Sequence, residues 1–259
     1  MTDWAAFAGI ATAVTLLLLV LARVSAGYAR LPTRDDVEWL SALPDDADHL
    51  DTTDAPRPRD QPAAMSTGLL LANVAFSHGL FLVVLVGGAL VTQVPAEALG
   101  ISVSTRELAL GVGFGVLLSL VNTGAGAVAH RFGYAPSADL RSLMSPSSAS
   151  GWVLLLGVIL PLVAVFEEFL FRAVLVGAFA TGFALSPWLL AAVSSVLFAL
   201  GHGAQGTAGV VVTGSLGLVL AAGYVLTGSL LVVVVAHYLV NALEFVVYEG
   251  LGVEFAWQG

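Results

Sequence analysis

The chain contains no cysteine and no lysine. Without cysteine there are no disulfides, no thiolate metal sites and no cysteine nucleophile. Charge is scarce: 10% of the 259 residues are charged, against 58% hydrophobic. A soluble core of this size does not need that composition. Several apolar runs reach the roughly 20 residues that cross a bilayer as a helix. They do not alternate apolar and polar residues as the spans of a membrane β-barrel would. The composition therefore predicts an all-α, polytopic membrane protein in contact with the lipid bilayer.

All nine basic residues are arginines, and the formal net charge is −9. Nine acids fall between Asp35 and Asp60, against Arg34, Arg57 and Arg59, so most of the acidity belongs to one polar segment. An acidic chain offers no electrostatic footprint for nucleic acid. Acidity without lysine, in an Ala-, Val- and Gly-rich chain, resembles the composition of proteins from salt-loving archaea.

Trp4–Ala22 is the first apolar run. Asp3 stands where a signal peptide carries basic residues, and no small-x-small cleavage pattern follows directly, so the run reads as a retained span. Residues 23–65 are polar and carry five prolines, which suggests a partly disordered loop with a short helix near Val37–Leu43. The next spans are expected at Leu69–Thr92 and Glu107–Ala129, the latter with Gly111 and Gly115 at a spacing that lets helices approach closely. After a loop at 132–150 comes a long run, 151–182, then spans at Ser186–Gly203, Gly206–Leu226 and Ser229–Val247. The long run would extend about 48 Å as a helix, more than one crossing needs. It is either one tilted helix or two pieces broken near Pro161, which makes seven or eight spans. This divides the chain into an N-terminal span with its acidic loop, 1–65, and a membrane domain, 66–259. Seven arginines lie in the loops after the first and third spans, so these loops are expected to be cytoplasmic and the N-terminus outside.

Glu167, Glu168 and Arg172 sit inside the long apolar run. A charge at the centre of a membrane helix costs about 2.5–3.5 kcal/mol on insertion scales, so three of them need a reason. Glu168 and Arg172 are four apart and share a helix face, where they can pair. Glu167 points about 100° away and is left free. Two further spans carry ionisable groups at helical spacing: Phe198 with His202, and His237 with Asn241. Intramembrane ionisable residues face one another or a watery cavity, so the three sets should converge. A lone His78 in the second span reads as a packing or hydrogen-bonding residue.

A carboxylate beside an imidazole can hold and deprotonate a water. A second imidazole and an amide can donate to a carbonyl oxygen as it becomes an oxyanion. Glu167, His202 and His237 also make a two-histidine, one-carboxylate zinc ligand set. Both chemistries end in amide hydrolysis, one with Zn2+ and one with glutamate-activated water alone, and the residues are compatible with either.

The ordered motifs Glu167-Glu168-x-x-x-Arg172, Phe198-x-x-x-His202 and His237-x-x-x-Asn241 resemble those of the CPBP intramembrane proteases. That family groups CAAX prenyl endopeptidases with bacteriocin-processing and self-immunity proteins, and the resemblance covers roughly residues 110–245. It implies Glu167 as the water-activating base with His202. It implies His237 and Asn241 as oxyanion donors, or His237 as a metal ligand, with Glu168, Arg172 and Phe198 supporting the site. It further implies a membrane-embedded or lipidated peptide substrate and a place in the cell membrane. Competing readings are a serine protease built on Gly214-Ser215-Leu216-Gly217 or Ser229, a transporter or proton relay, and a non-catalytic adaptor or immunity protein. Ser195, seven before His202, shares its face and reads as a packing hydroxyl.

Overall fold

In the computed structural model, the described residues are 1–28, 66–131 and 139–253. They are almost wholly helical, with no strand among them. The long helices are α1 (Trp4–Tyr28), α2 (Thr67–Val91) and α3 (Thr105–Arg131). A short α4 (Asp139–Met144) precedes α5 (Ala149–Phe183). Then come α6 (Pro187–Gly201), α7 (Gly206–Thr227) and α8 (Leu230–Gly250). Six of these are long and apolar enough to cross a membrane, and α6 is a shorter apolar helix. Most of the expected loop at 23–65, including the Val37–Leu43 helix and the acidic run, lies outside the described residues. So does 132–138.

The helices begin where the sequence supplies caps. Ser66, Ser148, Ser186 and Ser229 each accept a hydrogen bond from the backbone N–H three residues on. Pro187 occupies the first turn of α6, where its missing N–H costs nothing. Gly228, with φ 64°, closes α7 in the left-handed conformation that glycine adopts without strain.

The structure makes α5 one continuous helix of 35 residues. Pro161 does not divide it, so the longer of the two span counts does not arise. Pro161 follows a π-helical stretch, Leu155–Ile159, where the hydrogen-bond ladder is already shifted. A helix of that length exceeds what one bilayer crossing needs. α1 also runs further than expected, through Tyr28. The spans alternate in direction. Asp3 and Thr2 bond to Thr92 and Gln93, and Leu230 N–H donates to the Gly100 carbonyl, so these ends share one face. On the other face, Thr67 bonds to the Leu143 carbonyl, and Arg141 of α4 bonds to Glu244 at 2.9 Å and Glu249 at 2.8 Å. Burial opposes the Arg141 charge, but hydrogen bonds to Glu249 and Glu244 outweigh it and its pKa is raised.

Inside, Phe7, Ala11 and Val14 of α1 pack with Leu85 of α2, Phe166 of α5 and Phe198 of α6. A second cluster joins Leu118 of α3, Leu220 of α7 and Val233 of α8. Outside, Val83, Leu90, Leu120, Val196, Val211 and Leu226 present bare apolar side chains. So extensive an apolar exterior is a surface for lipid.

Gly111 and Gly115 set the distance between α3 and α8. A Cβ at Gly115 would lie 2.9 Å from Ala236 Cα, one residue from His237. Gly115→Leu is therefore expected to push the two helices apart, costing about 1–3 kcal/mol and displacing His237. The melting temperature should fall accordingly. An unchanged melting temperature would show that the contact can yield.

Candidate active site

The site is built around the turn of α5 where the ordinary helix ending at Glu168 passes into a π-helical stretch, Phe169–Ala178. Such stretches re-aim side chains and recur at functional sites. Glu168 and Arg172 are fully buried. Arg172 Nη1 donates to Glu168 Oε1 at 2.9 Å, and His237 Nδ1 bonds to the same oxygen at 2.7 Å. Arg172 Nη2 donates to the Gly217 carbonyl on α7 at 2.8 Å, and the guanidinium lies 4.7 Å over the Phe198 ring. One ion pair thus fastens α5 to α6, α7 and α8. Gly217 makes room for it: a Cβ there would come 2.8 Å from Phe198 Cδ1. Ser194 of α6 donates to the Phe171 carbonyl at 2.5 Å, pinning the π-helical stretch from the side.

Glu167 projects away from this pair, and three imidazoles surround it. His202 Nε2 stands 3.9 Å from Oε1, His78 Nε2 stands 3.8 Å from Oε1, and His237 Nε2 stands 3.6 Å from Oε2. Each ring is held at its other nitrogen. His202 Nδ1 bonds to the Phe198 carbonyl at 2.8 Å and His78 Nδ1 to the Val74 carbonyl at 2.9 Å, while His237 uses Glu168. Carbonyls and carboxylates only accept, so Nδ1 carries the proton in each ring and Nε2 is turned toward Glu167. The gaps of 3.6–3.9 Å are too long for direct hydrogen bonds and suit a water between the groups. The side chains of His78 and His202 are 21% and 24% exposed, and that of Glu167 12%. His237, at 5%, forms the floor of the cluster.

His202 is the residue that closes α6, and its ring lies 4.5 Å from that of Phe198. His237 comes nine positions after Gly228, so it stands about 14 Å from that turn along the helix axis.

The structure thus brings Glu167, His202 and His237 together, with Phe198, Glu168 and Arg172 packed behind them. Asn241 follows His237 by one turn on α8 and is half-buried, and no hydrogen bond of its side chain is found among the described residues. The serines singled out in the sequence are engaged elsewhere. Ser215 is exposed and bonds back to the Val211 carbonyl, Ser195 bonds to the Ala191 carbonyl, and Ser229 caps α8. His78, read as a packing or hydrogen-bonding residue, is both, with its ring edge-on to Phe166 at 4.9 Å and Nδ1 on the Val74 carbonyl, and because α2 packs against α5 it also lies at the cluster. The one signal for it in the sequence was an ionisable residue inside a span.

The zinc alternative can be tested against these positions. Among the described residues, no group of three or more His, Asp or Glu side chains closes to a metal-binding arrangement. Zinc bonds of 2.0–2.1 Å place tetrahedral ligands about 3.4 Å apart, and the nitrogen–oxygen gaps here are wider. As placed, the set does not fit a zinc shell, and no step below passes through a metal.

An all-helical, multi-pass membrane protein with carboxylates and imidazoles gathered in its interior is the class that fold and site define. Residues 149–243 match the family model described as Rce1-like, type II CAAX prenyl endopeptidase. The stretch from α5 into α8, a little over a third of the chain, is therefore similar to that family, whose description is of a CAAX-type endopeptidase. The match contains every residue of the three motifs and excludes α1, α2 and α3. No curated protein and no solved structure matches the chain.

Proposed function

We propose that the protein is an intramembrane endopeptidase that hydrolyses a peptide bond in a membrane-associated substrate, a lipidated CAAX-like peptide among them, in the cell membrane. The face carrying α4 is the cytoplasmic one, by the distribution of arginines. The observation that supports the reading most is the position of Glu167 Oε1, 3.9 Å from His202 Nε2 in the membrane interior. One water bonded to both spans that gap.

Glu167 accepts a proton from this water as the water oxygen attacks the scissile carbonyl carbon. The carbonyl oxygen gains charge, and His237 Nε2–H and the Asn241 amide donate to it. This role calls for a proton on His237 Nε2, the ring nitrogen left over once Nδ1 is bonded to Glu168. Glu168, Arg172 and Phe198 keep that ring in place. The transporter and adaptor readings draw no support from the family match.

The test is cleavage of a prenylated-cysteine CAAX peptide by protein reconstituted in liposomes. Asn241→Ala is expected to lower the rate by roughly 10²–10³-fold, as for loss of one oxyanion donor. A chelator is expected to leave the rate within twofold. Loss of activity with chelator and its return with zinc would replace the proposed mechanism by a metal one. Full activity in Asn241→Ala would remove that residue from the site.

A further inference from the structure

Glu167 Oε1 has an imidazole on either side. His202 Nε2 stands 3.9 Å away and His78 Nε2 3.8 Å away. The proposed mechanism occupies one of these sides with the attacking water and leaves the other without a task. Peptide hydrolysis has a second proton requirement. The amine cannot leave as an anion, so its nitrogen must receive a proton as the C–N bond breaks.

We propose that His78 is the proton carrier between Glu167 and the leaving nitrogen, a catalytic residue contributed by α2, outside the stretch that matches the family. The proposal rests on the reading of Glu167 as base. Three observations support it. His78 Nδ1 is committed to the Val74 carbonyl at 2.9 Å, so Nε2 is the only ring nitrogen free to exchange a proton, and it faces the carboxylate. The ring is held edge-on by Phe166, adjacent to Glu167 in sequence, and cannot swing freely away. His78 and His202 are the two more exposed imidazoles of the cluster, at 21% and 24% against 5% for His237, so they lie on its more open side. In the proposed mechanism the other two imidazoles already have tasks, His202 with the water and His237 with the oxyanion.

The steps balance. The water oxygen bonds to the carbonyl carbon and one water proton passes to Glu167. Glu167 hands that proton to the Nε2 lone pair of His78, which becomes imidazolium. As the C–N bond breaks and its electron pair stays on nitrogen, His78 gives the proton to that nitrogen. The products are a carboxylic acid and an amine, and Glu167 and His78 return to their starting states.

A leaving group that needs no proton isolates this step. The substrate is a prenylated-cysteine CAAX peptide in liposomes, compared with its thioester analogue, in which sulfur replaces the scissile N–H and departs as thiolate. His78→Gln and His78→Asn are both made, the second because its amide can keep a bond to the Val74 carbonyl. Both are expected to lower peptide kcat by about 100-fold. Both should leave thioester kcat within about threefold, with unchanged melting temperatures. Glu167→Gln, which removes the base, is expected to lose both substrates. Equal losses on peptide and thioester in the His78 variants, or no loss on either, would overturn the proton-carrier role while leaving the base in place. Activity of Glu167→Gln on both substrates would instead overturn the reading on which the role rests.

Discussion

Glu167→Gln is expected to reduce peptide cleavage by about 10³-fold or more while the protein stays folded. The substitution keeps the size and shape of the side chain but replaces an ionised carboxylate by an amide that cannot accept the water's proton. General base catalysis by a positioned side chain contributes typically 10²–10⁴-fold, which sets the scale. Stability should change little. Glu167 makes no short ion pair, and its three imidazole neighbours stand 3.6–3.9 Å away with their other nitrogens anchored elsewhere. Cleavage in liposomes and melting temperature, measured on one preparation, separate the two effects. A Gln variant within tenfold of wild type would mean that water is activated by another group, and the proposed mechanism would fail with it.

The second large effect is on stability. Arg172→Met removes the positive partner of a fully buried carboxylate. Glu168 would then keep only His237 as a partner for its charge, and breaking a buried pair from one side costs about 3–5 kcal/mol. Arg172 also bonds to the Gly217 carbonyl and lies over Phe198, so the loss loosens α7 and α6 as well. A marked drop in melting temperature and yield is expected, with activity falling too. The double variant Glu168→Gln, Arg172→Met should recover part of the stability, because neither charge is then stranded. It should not recover activity, because His237 Nδ1 has lost its ionised acceptor. An Arg172→Met protein as stable as wild type would show that the pair does not fasten the helices together.

Much of this was legible in the chain itself. Hydropathy located every long span within a few residues, because a bilayer sets both the length and the polarity of what crosses it. The four-residue spacing of Glu168 and Arg172 foretold their pairing for the same kind of reason: helical geometry is local, and residues one turn apart share a face. The continuity of α5 through Pro161 was not legible, because a proline inside an apolar run is compatible with a kink, a break or a shifted ladder. The role of Gly217 was also hidden. Its neighbours suggested a serine motif, whereas the structure uses its missing side chain to admit the Arg172 guanidinium and the Phe198 ring.

The sequence by itself determined that this is a helical membrane protein with two carboxylates, one arginine and several imidazoles inside its spans, because the bilayer and the helix period act on neighbours in the chain. Only the tertiary structure decided which of those groups meet. Helical spacing orients a side chain about its own axis but says nothing of how two axes lie against each other. His78 stands 89 residues before Glu167 and reaches it only because α2 packs against α5, which brings a third imidazole to within 3.8 Å of the carboxylate.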